Sequence, residues 1–205
     1  MFPELTSEYF ESVGITVDQP KDGHRYGGES IELANFCCVG GDVVELGSGC
    51  GVISLILAAG NHQHSIVAVE IQETLHNIAL KNVEQNNLSK IVTCVNADFR
   101  TYARRHPSSA DVVVSNPPFY ALNSGRMSKN ILRANARHEV HGTIDDLIVA
   151  AKLLLRPKGK LFLVFLKSRQ YELLKSAEKN HFKISRMSEM NAKPYFLVEL
   201  ETLSS

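Results

Sequence analysis

Asp42-Val43-Val44-Glu45-Leu46 runs directly into Gly47-Ser48-Gly49-Cys50-Gly51, and Val52 to Ala59 follows with apolar residues at most positions. The first five residues are a short β-branched run that reads as a strand, and the three alternate glycines read as a tight turn. The apolar stretch after them suits a helix packed on a sheet, closed by Gly60-Asn61. Strand, glycine turn and helix in that order are the opening of a βαβ unit.

The alternation continues along the chain. Ser65–Glu70 reads as a second strand, Gln72–Asn87 as a helix with Leu75, Ile78, Ala79 and Val83 on one face, and Ile91–Val95 as a third strand ending at Asn96-Ala97-Asp98. Asp111–Ser115 makes a fourth strand. Thr143–Leu155 is a helix with Thr143 as its N-cap, and Lys160–Leu166 is a fifth strand after the turn Pro157-Lys158-Gly159. Ser168–Asn180 reads as a helix, and Phe182–Met190 and Tyr195–Glu201 as a closing pair of strands joined at Asn191–Pro194. The reading is an α/β fold: a mostly parallel seven-stranded sheet, helices on both faces, and an antiparallel hairpin at one edge. The residues before Asp42 read as a polar lead-in.

A chain of 205 residues with 44% hydrophobic content is long enough to bury one full core, so a single domain over 1–205 is expected. The N-terminus carries no basic region followed by an apolar stretch, and nothing approaches the ~18 apolar residues of a membrane helix. The expectation is a soluble protein of the cytoplasm. Cys37, Cys38, Cys50 and Cys94 lack paired C-x-x-C spacing and read as reduced, buried small hydrophobes.

Net charge is zero, which argues against a wholesale polyanion binder, but the distribution is uneven. From Arg100 to His138 the basic residues are Arg100, Arg104, Arg105, Arg126, Lys129, Arg133 and Arg137, against the single carboxylate Asp111. Clustered arginine is what phosphate neutralisation requires, so nucleic acid is a candidate partner, with a solvated basic loop as the alternative.

In open α/β sheets the ligand crevice lies at the carboxyl ends of the strands, where strand order reverses. A dinucleotide site needs G-x-G-x-x-G, whereas Gly47, Gly49 and Gly51 alternate and Glu45 precedes them. That spacing suits a ligand without a pyrophosphate. Glu70 ends the second strand about 20 residues on, where a carboxylate accepts bonds from ribose hydroxyls. Together these point to a nucleoside cofactor and against a nicotinamide oxidoreductase.

Asn116-Pro117-Pro118-Phe119 leaves the fourth strand at the same edge. Two prolines fix φ and remove two donors, so the carbonyls there become rigid acceptors. A conjugated amine is a poor nucleophile because its lone pair is delocalised. Acceptors from the Asn116 side chain and the Pro117 carbonyl would hold both N–H groups and stabilise the positive charge that develops on nitrogen. Phe119 can stack on a flat base, a contact worth ~1–3 kcal/mol. No metal is needed: His138-Glu139-Val140-His141 falls one residue short of H-E-x-x-H, and His62-Gln63-His64 sits in an expected loop.

Val44–Gly51, Glu70, Asn96-Ala97-Asp98 and Asn116–Phe119 resemble, in order, the motifs of class I amino-methyltransferases of the Rossmann-like fold. Asp22-Gly23-His24-Arg25-Tyr26 and Arg137–Thr143 resemble the bacterial tRNA adenine methyltransferases that modify the adenine beside the anticodon of a valine tRNA, a likeness spanning nearly the whole chain. It implies S-adenosylmethionine as cofactor. Glu45 and the turn of Gly47, Ser48, Gly49 and Gly51 would hold its methionine end, Glu70 its ribose and Asp98 its adenine amine, with Arg25, Tyr26, Ile71, Ala97 and Asn116 around it. Residues 1–40 would cap the cofactor and 120–142 would face the substrate.

The implied reaction carries a methyl group to the exocyclic amine of an adenine in tRNA, the base unstacked into the crevice. Asn116, Pro117 and Phe119 would act at the amine, and Phe119, Tyr120, Arg126, Lys129, Arg133, Arg137 and His138 would contact RNA. Two departures stand out: Phe119 where that group often has tyrosine, and little chain after the last strand to add tRNA-binding surface. A protein glutamine amide is the alternative substrate, since such a tetrapeptide serves planar amides, and a non-catalytic RNA-binding module is the alternative of another class.

Overall fold

The computed structural model describes residues 3–23, 25–38, 40–60, 65–117, 142–191 and 193–203. The elements in chain order are β1 (Leu5–Phe10), β2 (Ile15–Pro20), α1 (Gly28–Phe36), β3 (Val43–Leu46), α2 (Val52–Ala59), β4 (Ile66–Glu70), α3 (Glu73–Gln85), β5 (Val92–Asn96), α4 (Phe99–Arg105), β6 (Ala110–Ser115), α5 (Ile144–Leu154), β7 (Leu155–Leu166), a 3-10 turn (Lys167–Arg169), α6 (Gln170–Lys179), β8 (Phe182–Glu189) and β9 (Tyr195–Thr202).

β5-β4-β3-β6-β7-β9-β8 form one sheet. The first five of these strands pair in parallel, and β9 lies antiparallel between β7 and β8. The seven-stranded sheet and its antiparallel edge therefore stand as the alternation in the sequence implies. The chain runs β3, β4, β5 to one side and returns to β6 on the other side of β3. That reversal opens the crevice between the carboxyl ends of β3 and β6.

Period-two alternation divides the core into two layers. Val43, Val112, Val114, Phe162 and Val164 face the layer that contains α1, α2 and α3. Val44, Val113, Leu161, Leu163 and Phe165 face the layer of α4, α5 and α6. Thr143 caps α5 as expected, through a reciprocal pair: its hydroxyl accepts from the Asp146 N–H at 3.2 Å, and the Asp146 carboxylate accepts from the Thr143 N–H at 2.9 Å.

Three expectations are corrected. The polar lead-in holds a two-stranded antiparallel hairpin, β1–β2, whose second strand is almost wholly buried. The backbone of its buried Asp18 is satisfied from α3: the Asp18 N–H donates to Asn82 Oδ1 at 2.8 Å, and Asn82 Nδ2 donates to the Asp18 carbonyl at 2.8 Å and the Cys50 carbonyl at 2.9 Å. Residues 99–105 form a helix that the charged sequence concealed. β7 pairs with β6 already at Leu155, so Pro157-Lys158-Gly159 is an excursion within the strand, with Lys158 at φ 64°. Of the cysteines, Cys37 and Cys50 are buried and Cys94 is half-buried. Cys38 is exposed after α1, its sulfur 3.7 Å from Arg186 Nη2.

Candidate cofactor and amine site

β3 and β6 are hydrogen-bonded neighbours with Glu45 opposite Val114, and Ser115 Oγ donates to the Leu46 carbonyl at 2.6 Å. Gly47 and Asn116 are therefore the next residues out on adjacent strands, so the sheet itself brings the glycine turn and the tetrapeptide together.

The turn is built from backbone. Gly47, Gly49 and Gly51 all have positive φ (73°, 57° and 86°). The Gly47 and Ser48 N–H groups donate to the Val69 carbonyl at 2.9 and 3.0 Å, and the Gly51 N–H closes onto the Ser48 carbonyl at 2.8 Å. Among the described residues, a Cβ on Gly47 would meet no atom beyond its chain neighbours within 4 Å, so those residues leave the space above the turn open. A Cβ on Gly51 would instead lie 3.4 Å from that of Ala79. Gly51 thus lets α3 approach closely, while Gly47 faces the crevice.

Glu70 ends β4 with its carboxylate buried beneath this turn. The Gly49 N–H donates to its Oε2 at 2.8 Å and the Gln72 N–H to its Oε1 at 2.8 Å. Burial raises its pKa, opposed by the bonds from Gln72, Gly49 and Ile71. Each carboxylate oxygen keeps a second lone pair for a hydroxyl donor. Ala97 follows beside it, its N–H on the Glu70 carbonyl at 3.1 Å, and Asn96 Nδ2 donates to the carbonyls of Glu70 and Ile71 at 2.8 and 3.2 Å.

Glu45 lies deeper. Strand alternation turns it with Val43 toward α2, where its Oε2 accepts from both the N–H and the hydroxyl of Ser54. Burial pushes its pKa up to about 8 against those two bonds, with Glu70 adding a smaller push in the same direction. Its first role is to fix α2 behind the turn. Burial thus disfavours the charged form of both carboxylates on this side of the crevice.

Asp98 is the N-cap of α4, accepting from the Arg100 N–H at 2.8 Å, and its carboxylate is also paired with the Arg100 guanidinium. The hydrogen bond from Arg100 holds its pKa below the usual carboxylate range. The double use of Asp98 as helix cap and ion-pair partner escaped the sequence reading. Arg25 and Tyr26 spend their polar groups on the hairpin: Arg25 Nη1 donates to Thr6 Oγ1 at 2.6 Å and the Pro20 carbonyl at 3.3 Å, and the Tyr26 hydroxyl donates to Glu8 at 2.8 Å.

Asn116 is half-buried and Pro117 buried behind it. Asn116 Nδ2 donates to Ser30 Oγ at 2.8 Å, whereas its Oδ1 is buried without a hydrogen-bond partner. Ser48 Oγ in the glycine turn is likewise buried and unpartnered. Ser30, on α1, was not identified from sequence; 86 positions separate it from Asn116, and only the docking of α1 joins them. Phe119, Tyr120, Arg126, Lys129, Arg133, Arg137 and His138, and all of 120–142 but Gly142, lie outside the described residues. Among the described residues no group of three or more His, Cys, Asp or Glu could hold a metal ion, and no helix is long and apolar enough to cross a membrane.

The methyltransferase small domain family matches residues 31–195, which take in the glycine turn, Glu70, Asp98 and Asn116. The chain belongs to this family. It is therefore a methyltransferase, and its sheet is the Rossmann-like sheet of class I methyltransferases. Similar curated proteins carry the name tRNA1(Val) (adenine(37)-N6)-methyltransferase. One from Photobacterium profundum is 28% identical over 171 residues, covering 80% of this chain and 70% of that protein. One from Bacteroides thetaiotaomicron is 26% identical over 193 residues, covering 93% and 80%. Three others of that name are covered over only 62–66% of their own length. Among solved structures, TrmN from Thermus thermophilus superposes with a TM-score of 0.64 at 21% identity, over 85% of this chain and 48% of that one. These structural likenesses concern the fold.

Proposed function

We propose that this methyltransferase uses S-adenosylmethionine to methylate the exocyclic amine of an adenine in tRNA, within one domain whose residues 1–40 cap the cofactor. The observation that carries the reading is the orphaned Asn116 Oδ1, a buried acceptor one residue beyond β6, the strand paired with the one that leads into the glycine turn. The names of the relatives support tRNA adenine as the substrate.

The residues present fit the cofactor. Glu70 would accept from its ribose, the glycine turn with Ser48 Oγ would hold its methionine end, and Glu45 would brace the turn from behind through its bonds with Ser54. The Asp98 region, with Ile71 and Ala97, would border its adenine. Bound there, S-adenosylmethionine supplies an electrophilic methyl group on a sulfonium.

Asn116 Oδ1 and the Pro117 carbonyl accept from the two N–H groups of the substrate amine. They hold its nitrogen lone pair outward and stabilise the charge that appears as the nitrogen gains a methyl group and then loses a proton. Phe119 and Tyr120 would stack on the unstacked base. Arg126, Lys129, Arg133, Arg137 and His138 would meet RNA.

The test is to incubate RNA lacking this modification with the enzyme and methyl-tritiated cofactor, then identify the labelled nucleoside and its host RNA. Label in N6-methyladenosine of a tRNA is expected. Label in protein that survives ribonuclease treatment would overturn the reading in favour of a glutamine amide, and no stabilisation by S-adenosylmethionine in a thermal-shift assay would favour a non-catalytic RNA-binding module.

A further inference from the structure

We infer that Gln19, on the inner face of the β1–β2 hairpin, binds the amino-acid end of the cofactor beside the glycine turn, an inference that rests on the proposed use of S-adenosylmethionine. Alternation along β2 turns Ile15, Val17 and Gln19 inward, and the three are 3%, 0% and 2% exposed. The first two join the core layer of α2 and α3. A third apolar side chain would continue that stripe. The position instead carries a carboxamide whose Oε1 is buried without a hydrogen-bond partner.

The hairpin brings this residue to the cofactor edge. The Thr16 N–H meets Asn86 Oδ1 and the Asp18 N–H meets Asn82 Oδ1, so β2 runs antiparallel to α3 and climbs toward its first turn, which follows Glu70. Asn82 Nδ2 then fixes the approach to the turn, donating to the Asp18 carbonyl at 2.8 Å and to the Cys50 carbonyl at 2.9 Å. The peptide that enters Gln19 and the peptide that leaves Cys50 therefore share one donor. Ser48 Oγ, in the same turn, is also buried and unpartnered. Arg25 stands on the other side: its Nη1 donates to Thr6 Oγ1 and the Pro20 carbonyl, and Thr6 and Pro20 are the cross-strand partner and the chain neighbour of Gln19.

A carboxamide offers a carbonyl at one end and N–H donors at the other, and the two ends are nearly equal in shape. An α-amino acid satisfies it whichever way it is turned, because the ammonium donates to the carbonyl and the carboxylate accepts from the N–H groups. The Arg25 cation adjoins the same place.

Calorimetric titration tests this by comparing wild type with Gln19→Leu, which removes both polar ends at similar volume. The ligands are S-adenosylhomocysteine and methylthioadenosine, which share the adenosine and the thioether; only the first carries the amino-acid group. Gln19→Leu is expected to raise the Kd for S-adenosylhomocysteine about tenfold and to leave that for methylthioadenosine within about twofold. An unchanged Kd for S-adenosylhomocysteine, or an equal loss for both ligands, would overturn the inference. If Gln19→Leu does not fold, Gln19→Met, unbranched like glutamine, carries the same expectations. Failure of the wild type to bind S-adenosylhomocysteine would instead overturn the proposed cofactor.

Discussion

Gly47→Ala and Gly51→Ala should separate ligand space from backbone strain. Both glycines have φ near +80° (73° and 86°), where a side chain costs about 1–2 kcal/mol. Neither added methyl group meets a severe clash among the described residues: beyond its chain neighbours the site above Gly47 is empty to 4 Å, and the Gly51 position makes an ordinary 3.4 Å contact with Ala79. The two variants should therefore lose stability alike, with Tm lower by about 2–8 °C for a domain of this size. Their affinities should diverge. A methyl group on Gly47 projects into the space assigned to the cofactor, and overpacking a closely fitted surface costs about 1–3 kcal/mol. This raises the Kd for S-adenosylmethionine by about 5- to 150-fold. The methyl group on Gly51 projects toward α3 and should leave the Kd within about threefold of wild type. Calorimetric titration of both variants, with Tm measured without ligand, provides the comparison. Equal loss of affinity in the two, or wild-type affinity in Gly47→Ala, would refute the placement of the cofactor over Gly47.

Asn116→Ala should abolish RNA methylation while S-adenosylmethionine still binds, measured by turnover and titration on the same preparation; loss of binding as well would give Asn116 a structural role. Glu45, with its folded pKa raised by burial from 4.5 to about 8, binds a proton in the folded state that the unfolded chain has released. Its contribution is full below about pH 4.5 and is lost as pH rises toward 8, so stability relative to Glu45→Gln should fall by about 3 kcal/mol between pH 5 and pH 8 in urea unfolding. Parallel pH profiles would contradict this. Asn82→Ala removes the three bonds that tie β2 and the glycine turn to α3, leaving a buried N–H and two carbonyls unsatisfied. Urea unfolding should register a loss of about 2–4 kcal/mol, and Asn82→Asp, which lacks the donors, should not restore it.

The parts of this fold legible in the sequence are those whose stability is local or periodic. Val43–Leu46 before three glycines and Thr143 before Asp146 carry their geometry in adjacent residues. The hairpin β1–β2 was illegible because β2 buries Asp18 and Gln19, residues that read as exposed. What makes the burial of Asp18 tolerable is Asn82 and Lys81, more than 60 positions away. α4 was missed for a related reason: its charged residues give little apolar period, and Asp98, its cap, drew attention as a ligand for the cofactor. At the site, Glu70, Asn116 and the glycines could be read because strand ends converge in any such sheet. Ser30 could not, because the contact exists only after α1 has packed on β7.

The pattern of unmet hydrogen bonds favours a ligand over a structural explanation for these residues. Among the described residues five buried side-chain atoms lack a partner: Gln19 Oε1, Ser48 Oγ, Gln72 Oε1, His76 Nδ1 and Asn116 Oδ1. Each such atom costs about 1–3 kcal/mol, and a chain under no other demand would spread or remove them. Four of the five instead lie where the chain leaves the carboxyl ends of β3, β4 and β6, in the glycine turn, the first turn of α3 and the residue after β6. The polar groups set deeper behind them are paired: Glu45 with Ser54, and Asn82 with Asp18 and Cys50. Saturation behind and orphaned atoms in front is what a rigid surface awaiting a polar ligand requires, since the donors and acceptors that such a ligand needs must be left without protein partners.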